Sequence, residues 1–265
     1  MILQVDGIKA HVERMGSGRQ ILLLHGWGPQ SITLEKHLLP AAQSLKSKYE
    51  ITLLEFPGHG RSGQPGAAWG VKEYAEWTLS LMDQQALRQP VIMGHSFGGR
   101  VALWLAAHYP DRVKALVLTG CAGLQPKKSL ESRIRSRLFQ FGRGSLKMLG
   151  LVPALKARER RWLASLRNEF ASADYLATPE ALRGSFSRIV RQDLRPLLPQ
   201  IPQKTLLVWG EKDTATPLWM GQAMQREMPD ARLLVYQEDD HFAYRNQLSR
   251  FVTAVDAFLE EGEQE

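Results

Sequence analysis

Residues 90–104, Pro-Val-Ile-Met-Gly-His-Ser-Phe-Gly-Gly-Arg-Val-Ala-Leu-Trp, constrain what this chain can fold into more than any other stretch. Val91 to Met93 is a short apolar run of the kind that forms a buried strand, and Val101 to Ala107 is rich in Ala and Leu and reads as a helix. Only Gly94-His95-Ser96-Phe97-Gly98-Gly99-Arg100 lies between them. A strand that becomes a helix within so few residues forces its central Ser into a strained backbone conformation, with the hydroxyl projecting from the turn. A side chain at Gly94 or Gly98 would strike neighbouring backbone, so both positions want glycine. The helix opens at Phe97, which points its first amides and the positive end of its dipole toward an oxyanion formed at Ser96. Ser96 is the candidate nucleophile.

The flanking sequence alternates strand and helix patterns. Ile2 to Val5 and Ile8 to Val12 read as strands joined at the hairpin pair Asp6-Gly7. Gln20 to Leu24 is wholly apolar after its first residue, the signature of a buried strand, and runs into His25-Gly26-Trp27-Gly28. Thr33 to Leu45 has helical spacing, Glu50 to Leu54 is the next strand, and Val71 to Leu87 the next helix, with Tyr74, Trp77 and Leu81 on one face. Val113 to Leu118 is a strand reaching Gly120-Cys121. Alternation stops from Gly123 to about Pro199, then resumes with a strand at Lys204 to Trp209, a helix at Met220 to Glu227, a strand at Arg232 to Tyr236 and a last helix from Leu248 to Leu259. The pattern predicts an α/β protein with a doubly wound, mainly parallel sheet, its functional groups at the carboxyl ends of the strands. The expected organisation is a core of residues 1–122 and 200–265 interrupted by a basic helical cap of residues 123–199.

Three further strand ends supply chemistry. After the strand ending at Leu24, small residues let backbone amides approach a substrate oxygen, and the amides of Trp27 and Phe97 form the expected oxyanion pair. Asp213 sits just beyond the strand that follows the cap, where a carboxylate can hold an imidazole, and Glu211 is the rival acid. His241 follows the last strand within Asp239-Asp240-His241-Phe242. Nucleophile, acid and histidine in that chain order, each after a strand, is the order that a Ser-Asp-His triad on such a sheet requires. His241 would take the Ser96 proton and return it to the leaving group, while Asp213 fixes the imidazole tautomer. His25, His95, Arg100 and Cys121 are weaker candidates for contact with substrate. His59 faces the site from its loop, and His11, His37 and His108 read as structural or exposed. No histidine pair has metal-ligand spacing, so no metal is expected.

On these residues the chain resembles the α/β-hydrolase superfamily over nearly its whole length, from His25-Gly26 through Gly94 to Gly99, Asp213 and His241. Phe56-Pro-Gly-His-Gly-Arg-Ser62 also resembles that family's loop after an early strand. The resemblance implies an eight-stranded sheet, a serine mechanism without cofactor, and a mobile cap that shapes an acyl pocket. Two positions depart from the family pattern: Asp240 stands where Gly often precedes the histidine, and Asn246 stands where Glu is frequent. Gly98-Gly99-Arg100 is similar to a pyruvate-eliminating lyase of the menaquinone-synthase type, in which the arginine binds a carboxylate. Hydrolysis of a carboxylic ester is the leading expectation, with a C–C hydrolase or that lyase second and a ligand-sensing receptor third. Dehalogenase and epoxide-hydrolase branches are disfavoured because their nucleophile is Asp.

Charge bears on partners. Between Gly123 and Arg195 there are 16 Lys and Arg against 6 Asp and Glu, so this segment carries more than the whole net charge of +7. No nucleic-acid-binding motif accompanies it. The expected partner is a small-molecule ester, apolar or anionic, and three readings of the basic segment stay open: weak contact with a membrane surface, attraction of a substrate carrying carboxylate or phosphate, or a cap whose cations simply face water. The lone Cys121 excludes an internal disulfide and fits a reducing compartment. With no signal-peptide pattern at the N-terminus, the expectation is a cytoplasmic protein of unspecified oligomeric state.

Overall fold

Strand β3 (Arg19–Leu24) shows why the apolar runs are continuous. Ile21 and Leu23 pack into one buried cluster and Leu22 and Leu24 into another, and all four are fully buried. A strand alternates its side chains between faces, so a sheet covered on both sides needs apolar residues at every position. Each such side chain contributes about 1.5–3 kcal/mol on burial.

The structure, a computed structural model, describes residues 1–28, 38–125 and 177–261. Its strands are β1 (Ile2–Val5), β2 (Ile8–Met15), β3, β4 (Tyr49–Glu55), β5 (Val91–His95), β6 (Ala115–Thr119), β7 (Thr205–Gly210) and β8 (Ala231–Tyr236). They form one eight-stranded sheet in the order β1-β2-β4-β3-β5-β6-β7-β8. Pairing is antiparallel at β1–β2 and β2–β4 and parallel throughout the rest. The expected α/β architecture and the eight-stranded sheet are thus present.

Helices cover both faces. Residues of α2 (Val71–Gln84) and α3 (Phe97–His108) join Leu22 and Leu24 in one cluster, while α1 (Leu39–Leu45) and the C-terminal helix (Leu248–Glu261) supply the other. Several boundaries differ by one or two residues from the sequence reading, and two differ by three. β2 runs on to Met15 because its register with β4 continues to Met15↔Ile51. α2 stops at Gln84 because Ala86 adopts φ +53 and the Leu87 amide closes back on the Met82 carbonyl at 2.8 Å. The first residues of the helix expected at 33–45 lie outside the described residues.

The chain divides into two compact units, Met1–Leu124 with Thr178–Glu265, and Gln125–Ala177. Ser96, Asp213 and His241 all belong to the first. So does α4 (Glu180–Arg191), which falls inside the segment expected as cap. Most of that segment, residues 126–176, lies outside the described residues. Among those described, no helix is long and apolar enough to cross a membrane.

Candidate active site

Ser96 occupies the turn between β5 and α3 with φ +51 and ψ −106, a conformation that side-chain-bearing residues rarely adopt. Bonds from three segments impose it. The Ser96 amide donates to the Thr119 carbonyl at 3.1 Å, and its own carbonyl accepts from Gly99 at 3.1 Å and Ala122 at 3.2 Å. Such strain persists only where surroundings over-determine it. The glycines act by contact. A Cβ at Gly94 would lie 2.8 Å from the Gly98 carbonyl, one at Gly98 would run into the Leu24 carbonyl oxygen, and one at Gly99 into Cys121.

Beside the turn, the loop after β3 carries His25 and Trp27. The His25 Nε2 accepts the Phe56 amide at 3.0 Å, so its Nδ1 carries the proton and donates to the Gly26 carbonyl at 2.6 Å. The Trp27 indole donates to the Thr178 hydroxyl at 2.9 Å, and its ring meets Phe97 edge-on at 5.3 Å and His59 at 4.7 Å. His59 is fully buried and donates from Nδ1 to the Pro57 carbonyl at 3.1 Å. Burial first, and the neighbouring His25 second, press its pKa down to about 3, so the imidazole is neutral. Glu55 fixes the loop that bears His59. Its buried carboxylate accepts the Arg61 amide at 2.6 Å and lies 3.1 Å from His11, while the Ser62 hydroxyl donates to its carbonyl at 2.6 Å. Nothing in the sequence singled out Glu55.

Asp213 and His241 meet on the other side, beyond β7 and β8. The His241 Nδ1 donates to Asp213 Oδ2 at 2.8 Å, with the carboxylate fully buried and the imidazole 16% exposed. Asp213 Oδ1 accepts the amides of Ala215 at 2.9 Å and Thr216 at 2.8 Å, and Oδ2 accepts the Thr216 hydroxyl at 2.7 Å. Gly120, at φ +47, makes room for the pair: a Cβ there would lie 2.9 Å from His241 Nδ1 and 3.2 Å from Asp213 Oδ2. Glu211 is exposed and accepts the Glu238 amide at 3.1 Å, so of the two acids it is Asp213 that holds the imidazole. The two departures from the family pattern sit together. Asn246 donates to Asp239 Oδ1 at 2.9 Å and to Asp240 Oδ1 at 3.1 Å, and Asp240 also accepts the Phe242 amide at 2.8 Å.

Each of the four weaker candidates for substrate contact has a bond within the protein. Both ring nitrogens of His25 are bonded to backbone, as described. His95 Nδ1 lies 3.1 Å from both the carbonyl and the hydroxyl of Thr119, and its ring stands 4.7 Å from that of His241. Arg100 Nη1 donates to the carbonyls of Ile189 and Gln192, each at 2.9 Å, and so closes the C-terminal end of α4. Burial lowers its pKa to about 10, which leaves it charged. Cys121 is wholly buried, and burial lifts its thiol to about 12, so it keeps its proton at neutral pH. Of the remaining histidines, His108 stacks on Trp104 at 3.9 Å, and His37 lies outside the described residues.

Comparison with known proteins gives the family of the fold. The family model of the alpha/beta hydrolase fold matches residues 20–246, and the chain belongs to that family. It is 27% identical over 257 residues to a pimeloyl-acyl-carrier-protein methyl ester esterase of Nitrosomonas europaea, covering 93% of this chain and 98% of that protein. A bacterial membrane phospholipase A superposes with TM-score 0.75 at 25% identity, covering 100% of this chain and 86% of the other. A meta-cleavage product hydrolase of Pseudomonas fluorescens IP01 superposes with TM-score 0.74 at 20% identity, covering 99% and 98%, a likeness of fold alone.

Proposed function

We propose that the protein is a serine hydrolase that cleaves a carboxylic ester through an acyl-enzyme on Ser96. The observation that carries this reading is the 2.8 Å bond between His241 Nδ1 and Asp213 Oδ2, made beyond the carboxyl ends of two strands of the sheet whose β5 leads into the strained turn at Ser96. With Nδ1 held, Nε2 is the atom left to move a proton. Ser96 Oγ attacks the ester carbonyl carbon as its proton passes to His241 Nε2. The resulting oxyanion is met by the backbone N–H groups of Trp27 and Phe97, and loss of one such donor typically costs on the order of 10²–10³ in rate. Phe97 is the first residue of α3, so its N–H has no acceptor within the helix. Collapse of the tetrahedral species expels the alkoxide, which takes the proton from His241. Water, deprotonated by the same imidazole, then attacks the acyl-Ser96 and releases the acid.

An ester substrate draws support from the methyl ester esterase among the relatives and from the phospholipase A among the structures. The pyruvate-eliminating alternative relied on Arg100 binding a carboxylate, and the bonds of that guanidinium to Ile189 and Gln192 speak against it. The test is hydrolysis of nitrophenyl esters of graded acyl length by the wild type and Ser96→Ala. Turnover with a chain-length optimum that vanishes in the variant is the expected result. A folded wild type that turns over no ester in the series would overturn the reading and point toward C–C cleavage or ligand sensing.

A further inference from the structure

Thr216 touches both partners of the acid–base pair, yet neither its position in the sequence nor the proposed mechanism assigns it a part. Its hydroxyl oxygen lies 2.7 Å from Asp213 Oδ2, 3.0 Å from the Gly120 carbonyl and 3.2 Å from His241 Nδ1. The residue is buried, and its carbonyl accepts the indole N–H of the buried Trp209 at 2.6 Å, so the hydroxyl is held in place.

A carboxylate offers about four lone-pair sites. At Asp213 four donors fill them: the Ala215 amide, the Thr216 amide, the Thr216 hydroxyl and His241 Nδ1. Thr216 supplies two of the four. A hydroxyl has one proton, and a bond to a charged oxygen is the shorter and stronger choice. At 2.7 Å against 3.0 Å the proton goes to Asp213 rather than to Gly120. The carboxylate that faces the imidazole therefore has part of its charge already shared with a neutral donor.

We propose that Thr216 is a positioning residue that, by saturating the Asp213 carboxylate, limits how strongly that carboxylate holds His241 in its charged form. The role rests on the reading of Asp213 and His241 as the acid–base pair of a serine hydrolase. Without the hydroxyl, Oδ2 keeps only the imidazole, the pairing of carboxylate with imidazolium strengthens, and His241 stays protonated to higher pH. Other groups near the imidazole do not take over. The His95 ring stands 4.7 Å away with its Nδ1 against Thr119, and the carboxylates of Asp239 and Asp240 are bonded to Asn246 and the Phe242 amide. Arg245 lies over the Phe242 ring.

The experiment is an NMR titration of histidine-labelled full-length protein, with His241→Asn to assign the resonance, on the wild type, Thr216→Val, Thr216→Ala and Thr216→Ser. In Thr216→Val and Thr216→Ala the His241 midpoint is expected to rise by about half a pH unit or more, roughly a threefold change in the protonation ratio. Thr216→Ser keeps the hydroxyl and is expected to titrate with the wild type. The acidic limb of kcat/KM on a nitrophenyl ester should move with the NMR midpoint. If Thr216→Val does not fold, Thr216→Ala carries the test. An unmoved midpoint in the hydroxyl-less variants overturns the proposal. So does a fall, which would mean that the hydroxyl accepts from Nδ1 instead of donating to Asp213. Failure of the hydrolase reading is seen separately, as absent ester turnover or a fully active Ser96→Ala.

Discussion

The two sides of the candidate site are built by different forces. On the Ser96 side, placement comes from contact: Gly94, Gly98 and Gly99 admit backbone and Cys121 where a Cβ would collide, and the rings of Trp27, His59 and Phe97 meet edge-on or stacked. On the His241 side, placement comes from hydrogen bonds to charge, with Asp213 taking four donors and Asp239 and Asp240 sharing Asn246. Steric placement is rigid and fails abruptly. Placement by charged hydrogen bonds is graded and answers to pH and salt. The two sides should therefore respond differently to the same kind of perturbation.

Gly98→Ala probes the contact side and should have the largest effect. The new Cβ meets the Leu24 carbonyl, with the His25 carbonyl only 2.8 Å away, and no flexible side chain can yield. We expect a loss of at least about 3 kcal/mol in urea unfolding, at the upper end of overpacking costs, with activity falling in step. A variant within about 1 kcal/mol of the wild type would mean that the turn relaxes easily and that the contrast is misplaced.

His59 gives the contact side its own sensitivity to acid, and this is the second effect in size. Its folded pKa is about 3 against an ordinary 6.5. Between those values the unfolded chain binds a proton that the folded one does not, so stability rises with pH through the window and is complete above it. The slope is about 1.4 kcal/mol per pH unit, so roughly 2 kcal/mol is lost on going from pH 7 to pH 5. His59→Gln removes the titration while keeping an amide able to donate to Pro57. It should start less stable at pH 7 but lose about 2 kcal/mol less over the same range. Parallel unfolding profiles for the two proteins would show that acid acts elsewhere.

The contact side was also the more legible one. A strand buried on both faces must be apolar at every position, and a strand–turn–helix of this tightness must have glycines, so β3, β5 and the Ser96 turn follow from local sequence. The preference for Asp213 over Glu211, made on its place just beyond a strand end, has a second ground in the sequence: Asp213-Thr-Ala-Thr-Pro217 is a segment in which an Asp side chain caps the amides two and three residues on. The end of α2 was hidden because Ala86, not a glycine, takes the positive φ. Arg100 was misleading for a different reason: its partner Ile189 lies 89 residues away, in a helix whose docking no periodicity reveals. Gly120 and Thr216 carry no motif and matter only through what folding brings against them.

Asp240 and Asn246 offer the smallest effect and the finest test of the charged side. Each departs from the family pattern, and the structure explains both at once. A carboxylate at 240 beside Asp239 needs a donor, which Asn246 supplies to both, whereas a glutamate at 246 would set a third carboxylate against two. Asn246 is exposed, so Asn246→Glu should cost only about 0.5–1 kcal/mol at low ionic strength. Much of that cost should disappear in about 1 M salt, where screening reaches only some 3 Å. In an Asp240→Gly background one of the two opposing charges is gone, and the cost of Asn246→Glu should fall by roughly half, a non-additivity that a double-mutant cycle reads directly. Equal costs in both backgrounds, or a cost insensitive to salt, would mean that the two positions vary independently and that charge does not set the His241 loop. A shared, salt-sensitive cost would mark the pair as one substitution made at two sites, graded where the glycine turn is abrupt.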